Sequence, residues 1–166
     1  MSPIQKTNAI RFLETLSLPF ELKETLVEGS MTAEDMARAL NLPPEMVYKT
    51  LLLRGDKTGL LEAMVPAGTE IDLKALAALS GNKKVAMTPL KELFPLTGYV
   101  RGGCSPLAGK HKYPVFILDE LILLEKVLFN AGKRGLFILM DPQDLIKATG
   151  AVLGPIGVPS QGPTSE

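Results

Sequence analysis

The segment GYVRGGCSPLAGKHKYP, residues 98–114, holds the chain's one cysteine, Cys104, and its one histidine, His111, among four glycines and two prolines. A thiol and an imidazole can form a nucleophile and its base if the thiolate forms and a third group orients the ring. Across a glycine-rich loop the two meet only if the loop folds back. A lone cysteine more often fills a small apolar slot. A histidine between Lys110 and Lys112 more often faces solvent. No second cysteine or histidine exists to complete a metal site, so no metal is expected.

The backbone of the same loop is the stronger candidate. Gly102-Gly103 allows positive φ and a close approach to a ligand, and Ser105-Pro106 fixes the next turn. Free N–H groups there can hold a carbonyl oxygen, a carboxylate or a phosphate, although a plain tight connection would use the same glycines. The string matches no dinucleotide or Walker-type pattern. Lys49 opens the apolar run TLLL. It either reaches solvent or, facing a pocket, binds a phosphate or stabilises a developing oxyanion. NAGKRG, residues 130–135, is either an anion-binding turn or a basic hairpin tip.

These residues must be positioned by short elements. Ser2-Pro3 reads as a helix start running to about Leu16, and Phe20–Glu24 alternates like a half-buried strand. Thr32 and Asp35 form a capping-box pattern, and PEMVY gives a further helical turn. Thr50–Leu53 and Leu60–Val65 flank RGDKTG as a hairpin. Asp72 and Gly81 bracket a helix, Lys84–Met87 reads as a strand, and Thr88-Pro89 repeats a cap-plus-proline start. Strands are expected at Tyr99–Arg101, Val115–Leu118 and LFILM. LILLEKVLFN is ambiguous, and Asp141-Pro142 caps a last helix that ends at Gly150. Several strands are wholly apolar, as strands covered on both faces are. The expected fold is α+β: a single mixed β-sheet curled toward a barrel, with peripheral helices. Residues 1–158 read as one domain and 159–166 as a flexible tail.

Eighteen basic and eighteen acidic residues give a formal charge of zero, which argues against bulk electrostatic coating of nucleic acid. One cysteine excludes an internal disulfide framework and fits a reducing compartment. The N-terminal residues carry no apolar signal core, and no apolar run reaches eighteen residues. A cytoplasmic location and no membrane partner are expected.

In this order, VYKTLL (47–52), AMVPAGTEIDLKALA (63–77), GYVRGGCSPLAGKHKYPVFILDE (98–120) and NAGKRGLFI (130–138) resemble the YbaK/EbsC family. These are the Cys-tRNA(Pro) deacylase-like proteins, related to the editing insertion of bacterial prolyl-tRNA synthetases. The similarity runs from about Phe20 to Ala151. It implies hydrolysis of the ester of a mischarged tRNA(Pro), Cys-tRNA(Pro) first, in trans and without a cofactor. The family's pocket lysine falls on Lys49. Its substrate loop falls on Gly102, Gly103, Ser105 and Pro106, and its later turn on Asn130, Ala131 and Gly132. Arg101, Lys110, Lys112, Lys133 and Arg134 are then expected tRNA contacts. The implied partners are the 3′ aminoacyl end of the tRNA and prolyl-tRNA synthetase, not DNA. Two positions depart from the pattern: Cys104 stands where an aliphatic residue is usual, and Asn130-Ala131 where Ser-Gly is typical. The alternatives are another small amino acid, such as Ala-tRNA(Pro), or a non-catalytic module that binds tRNA or a synthetase.

Overall fold

The computed structural model describes residues 5–29 and 31–159. Helix α1 (Asn8–Thr15) starts at Thr7, whose hydroxyl accepts from the Ile10 amide at 3.2 Å and buries Ala9, Ile10 and Leu13 behind it. The start expected at Ser2-Pro3 lies outside the described residues, and the residues just before Thr7 are not helical. Strand β1 (Glu21–Glu24) and helix α2 (Ala33–Ala39) follow. The α2 capping box forms as its sequence predicts, with Thr32 and Asp35 exchanging side chain-to-amide bonds. A 3₁₀ turn at Pro44–Met46 then leads into β2 (Tyr48–Gly55).

Strands β2 and β3 (Gly59–Pro66) form the expected hairpin. Its turn is held from a distance. Asn82 Oδ1 accepts from the Lys57 and Thr58 amides at 2.8 and 2.9 Å, and its side chain packs under Gly55, where no Cβ would fit. Strand β4 (Thr69–Ile71), helix α3 (Leu73–Ser80) and strand β5 (Val85–Met87) come next. Asp72 caps α3, and Gly81 stops it at φ +83°. Helix α4 (Leu93–Thr97) is shorter than the Thr88-Pro89 signature suggests. Thr88 spends its hydroxyl on the Leu52 carbonyl across the sheet, so it caps nothing.

Residues 98–114 form no strand, which corrects the expectation at Tyr99–Arg101. The sequence signal there was one tyrosine and one valine, and turn chemistry overrides it. Beyond the loop come β6 (Val115–Leu118), β7 (Val127–Lys133), β8 (Leu136–Met140), α5 (Pro142–Thr149), β9 (Val152–Gly154) and β10 (Gly157–Pro159). The ambiguous run after Glu120 resolves into a 3₁₀ turn and β7. Pro159, assigned to a tail by the sequence, ends β10 against β4; residues 160–166 lie outside the described ones.

Hydrogen bonding divides the strands into three sheets, ordered β5-β2-β3-β6-β9, β1-β8-β7 and β10-β4. In the first, β3 and β6 are parallel, as are β6 and β9, whereas β2–β3 is antiparallel. A single parallel bridge, Val47 to Leu128, stitches β7 to the entry of β2. The mixed sheet thus curls toward a barrel without closing. One large apolar cluster fills the curl, drawing Leu53, Leu61, Met64, Ile117, Phe129 and Ile138 from both main sheets.

Candidate active site

Lys49 is the second residue of β2, half-buried, and registers with Val65 of β3. The Val47–Leu128 bridge decides what lies on its other side. From that bridge β2 runs on into Lys49, and β7 runs on to Asn130, where it bulges. Asn130 is 8% exposed and uses its whole amide. Its Nδ2 donates to the carbonyls of Gly102 and Lys133 at 2.9 and 3.0 Å. Its Oδ1 accepts from the Gly132 and Lys133 amides at 2.6 and 3.0 Å. The bulge and the glycine loop are therefore locked together. The sequence put Asn130 on a substrate wall; its polar atoms are all engaged within the protein.

The glycine loop is built from two turns. The Gly103 amide donates to the Val100 carbonyl at 2.9 Å, with Gly102 at φ +83° in the position that demands a left-handed residue. Ser105 is buried, and its hydroxyl oxygen accepts from the Leu107 amide at 3.2 Å. Gly103 lies so close to the Arg134 backbone that a Cβ there would stand 3.1 Å from its nitrogen. Among the described residues, the amides of Gly102, Cys104 and Ser105 take no hydrogen bond. Those three amides, unlike that of Gly103, are unspent donors flanking the turn.

Tyr99 braces the assembly from beneath. Its hydroxyl donates to the Leu107 carbonyl at 2.5 Å, and its ring lies against Gly132, which sits at φ +100° with no room for a Cβ. Ala131 belongs to the core, and its carbonyl accepts from the Thr7 hydroxyl at 2.5 Å. Pro106 is half-buried beside a cavity under the second half of the loop.

Cys104 is 7% exposed, and burial, with the nearby Glu62 carboxyl adding to it, pushes its thiol well above the usual range. A thiol held neutral is no nucleophile. His111 is exposed and faces Tyr113, with ring centroids 6.1 Å apart. Arg101, Lys110, Lys112, Lys133 and Arg134 are exposed around the loop. Arg134 is the most engaged of these, donating to the Gly29 carbonyl while its aliphatic stem covers Gly102. One polar group escaped the sequence reading. Thr50, next to Lys49, buries its hydroxyl without a partner among the described residues. Nothing in a strand of threonine and leucines singles it out beforehand.

Residues 27–148 match the model of the aminoacyl-tRNA editing domain. The chain belongs to that family. It is 40% identical, over 87% of its length and 89% of the relative's, to the Enterococcus faecalis protein named "Putative Cys-tRNA(Pro)/Cys-tRNA(Cys) deacylase EbsC". Among solved structures, the one described as "a putative trans-editing enzyme for prolyl tRNA synthetase" superposes with a TM-score of 0.81 at 23% identity, covering 93% of this chain and 99% of that one. A second, "hypothetical protein APE2540", gives 0.83 at 22% identity over 92% and 100%. These two share the fold of the editing domain. The matched span of the editing family includes Lys49, the glycine loop and the β7 bulge, and no group of three or more metal-binding side chains occurs among the described residues.

Proposed function

We propose that this chain is a trans-acting aminoacyl-tRNA deacylase that hydrolyses mischarged tRNA(Pro), with Cys-tRNA(Pro) as its first substrate. The observation that carries this reading is the braced glycine loop, which lies with Lys49 inside the matched editing domain. Lys49 follows the Val47–Leu128 bridge on β2, Asn130 on β7 anchors Gly102, and amides of the loop are unspent. An aminoacyl ester is already activated, so the protein need not supply its own nucleophile. Water adds to the ester carbonyl carbon, the bond to the ribose oxygen breaks, and that oxygen takes up a proton as the free amino acid leaves. The Lys49 ammonium and the Gly102, Cys104 and Ser105 amides suit the oxyanion formed on the way. In a cysteinyl substrate the thiol can attack its own ester first, and water then opens the product. The basic residues Arg101, Lys110, Lys112 and Lys133 suit the tRNA acceptor end, and prolyl-tRNA synthetase suits a protein of zero net charge that needs help selecting its tRNA.

The test is a deacylation panel with Cys-, Ala-, Ser- and Pro-charged tRNA(Pro). Release of cysteine ahead of the others supports the reading, and preferential release of alanine moves the substrate assignment. The fully engaged Asn130 favours a second reading, a non-catalytic tRNA- or synthetase-binding module. That reading requires no release from any of the four, alongside binding that survives Lys49→Ala.

A further inference from the structure

Glu62 lies in the middle of β3, 6% exposed, with its backbone amide bonded to the Pro114 carbonyl at 2.8 Å. Its carboxyl has no hydrogen bond or ion pair among the described residues. The side chain lines a cavity of about 170 Å³ beneath residues 106–113, walled on its apolar side by Phe12, Leu107, Val115 and Ala148. A bare carboxyl in such surroundings is costly to bury, and a strand gains nothing from it. Lys112 lines the same cavity, exposed and without an ion-pair partner among the described residues.

Lys49 does not line this cavity, although Cys104 of the glycine loop lies near its Glu62. Cross-strand partners share a face, and Val65, the partner of Lys49, is three residues from Glu62 along an unbroken register. The Lys49 and Glu62 side chains therefore leave the sheet on opposite faces. The cavity is smaller than those that take drug-sized ligands, so its occupant is compact. An acid, a cation and an apolar wall lining one cavity complement a small molecule carrying both charges, the acid giving up its proton to solvent as the ammonium arrives.

We propose that the Glu62 cavity is a second ligand site that takes a small free α-amino acid as its zwitterion, with the ammonium on Glu62 and the carboxylate at Lys112. The site shares Lys112 with the tRNA contacts of the deacylase reading but requires no tRNA and no Lys49.

Calorimetric titration of the full chain with L-alanine, L-serine and L-cysteine, and with methylamine and acetate as half-ligands, tests this. At least one amino acid is expected to bind saturably, with each half-ligand weaker by about tenfold or more. Glu62→Gln, which keeps the shape, and Lys112→Ala at the exposed side are each expected to weaken amino-acid binding by about tenfold, while Lys49→Ala leaves it unchanged. Circular dichroism checks the fold of each variant, and Lys112→Ala carries the test if Glu62→Gln does not fold. Absence of saturable binding by all three amino acids overturns the proposal. So do acetate binding as tight as the amino acids, binding indifferent to both Glu62→Gln and Lys112→Ala, and loss of binding in Lys49→Ala.

Discussion

Asn130 donates a 2.9 Å hydrogen bond to the Gly102 carbonyl, joining the β7 bulge to the glycine loop across 28 residues of chain. Three further bonds fill the same amide. Asn130→Ala strips four part-buried hydrogen bonds from the backbone of Gly102, Gly132 and Lys133, and should lower unfolding free energy by about 2–4 kcal/mol. In a deacylation assay it should lower kcat more than it raises KM, because the loop's donors lose their orientation. Urea denaturation together with steady-state kinetics measures both. An unchanged midpoint would contradict the bonding described above.

Lys49→Ala should lower kcat for deacylation by about a hundred- to thousandfold, the usual loss for one preorganised oxyanion donor. Lys49 is half-buried and makes no ion pair among the described residues, so the melting temperature should barely move. Wild-type turnover by the variant would remove Lys49 from the mechanism.

Gly132→Ala places a Cβ 2.9 Å from the Tyr99 ring, at a backbone φ of +100° that alanine resists. A loss of about 2–4 kcal/mol is expected, combining overpacking with left-handed strain. Combining it with Tyr99→Leu, which empties the ring's space, should cost less than the sum of the two single changes. A double-mutant cycle reads this directly.

Burial raises the Glu62 carboxyl to about 8 from its ordinary 4.5. In the unfolded chain Glu62 ionises near its ordinary value, while in the folded protein it stays protonated until about pH 8. Its contribution to stability is therefore complete below pH 4.5, declines through the interval and is gone above about 8. Glu62→Gln should flatten this slope by a few kcal/mol, approximately, between pH 5 and 8. Urea midpoints at both pH values check it. A slope that is the same in wild type and variant would show that Glu62 does not titrate in this way.

Cys104→Ala should keep deacylation within about twofold and cost about 1 kcal/mol of stability, as removal of one small buried group does. The native thiol should also resist iodoacetamide at neutral pH, since only the thiolate reacts. Rapid alkylation of the folded protein, or loss of turnover in the variant, would return this cysteine to the chemistry.

Local signals made much of the frame legible. Thr32–Asp35, Asp72–Gly81 and Asp141–Gly150 carry caps and stops that act within a few residues, and each helix forms where they place it. The β2–β3 hairpin and β8 were likewise written in runs of apolar residues around turns. Strands β4, β9 and β10 were not, because three residues carry too little pattern and become strands only when a partner edge arrives. The glycine loop, the lysine and the β7 turn were recognisable as motifs. Their joint meaning was not, since the bridge from Val47 to Leu128 and the bond from Asn130 to Gly102 each link residues far apart in the chain. Glu62 was one polar letter in an apolar run, and only folding could strand its carboxyl in a cavity that Lys112 also lines. The sequence by itself determined where the chain turns, which stretches bury and which residue types were available for chemistry, because those depend on neighbours in the chain. Tertiary structure alone decided which of them meet, because long-range pairing bonds Asn130 to Gly102 and turns Lys49 and Glu62 to opposite faces of the sheet.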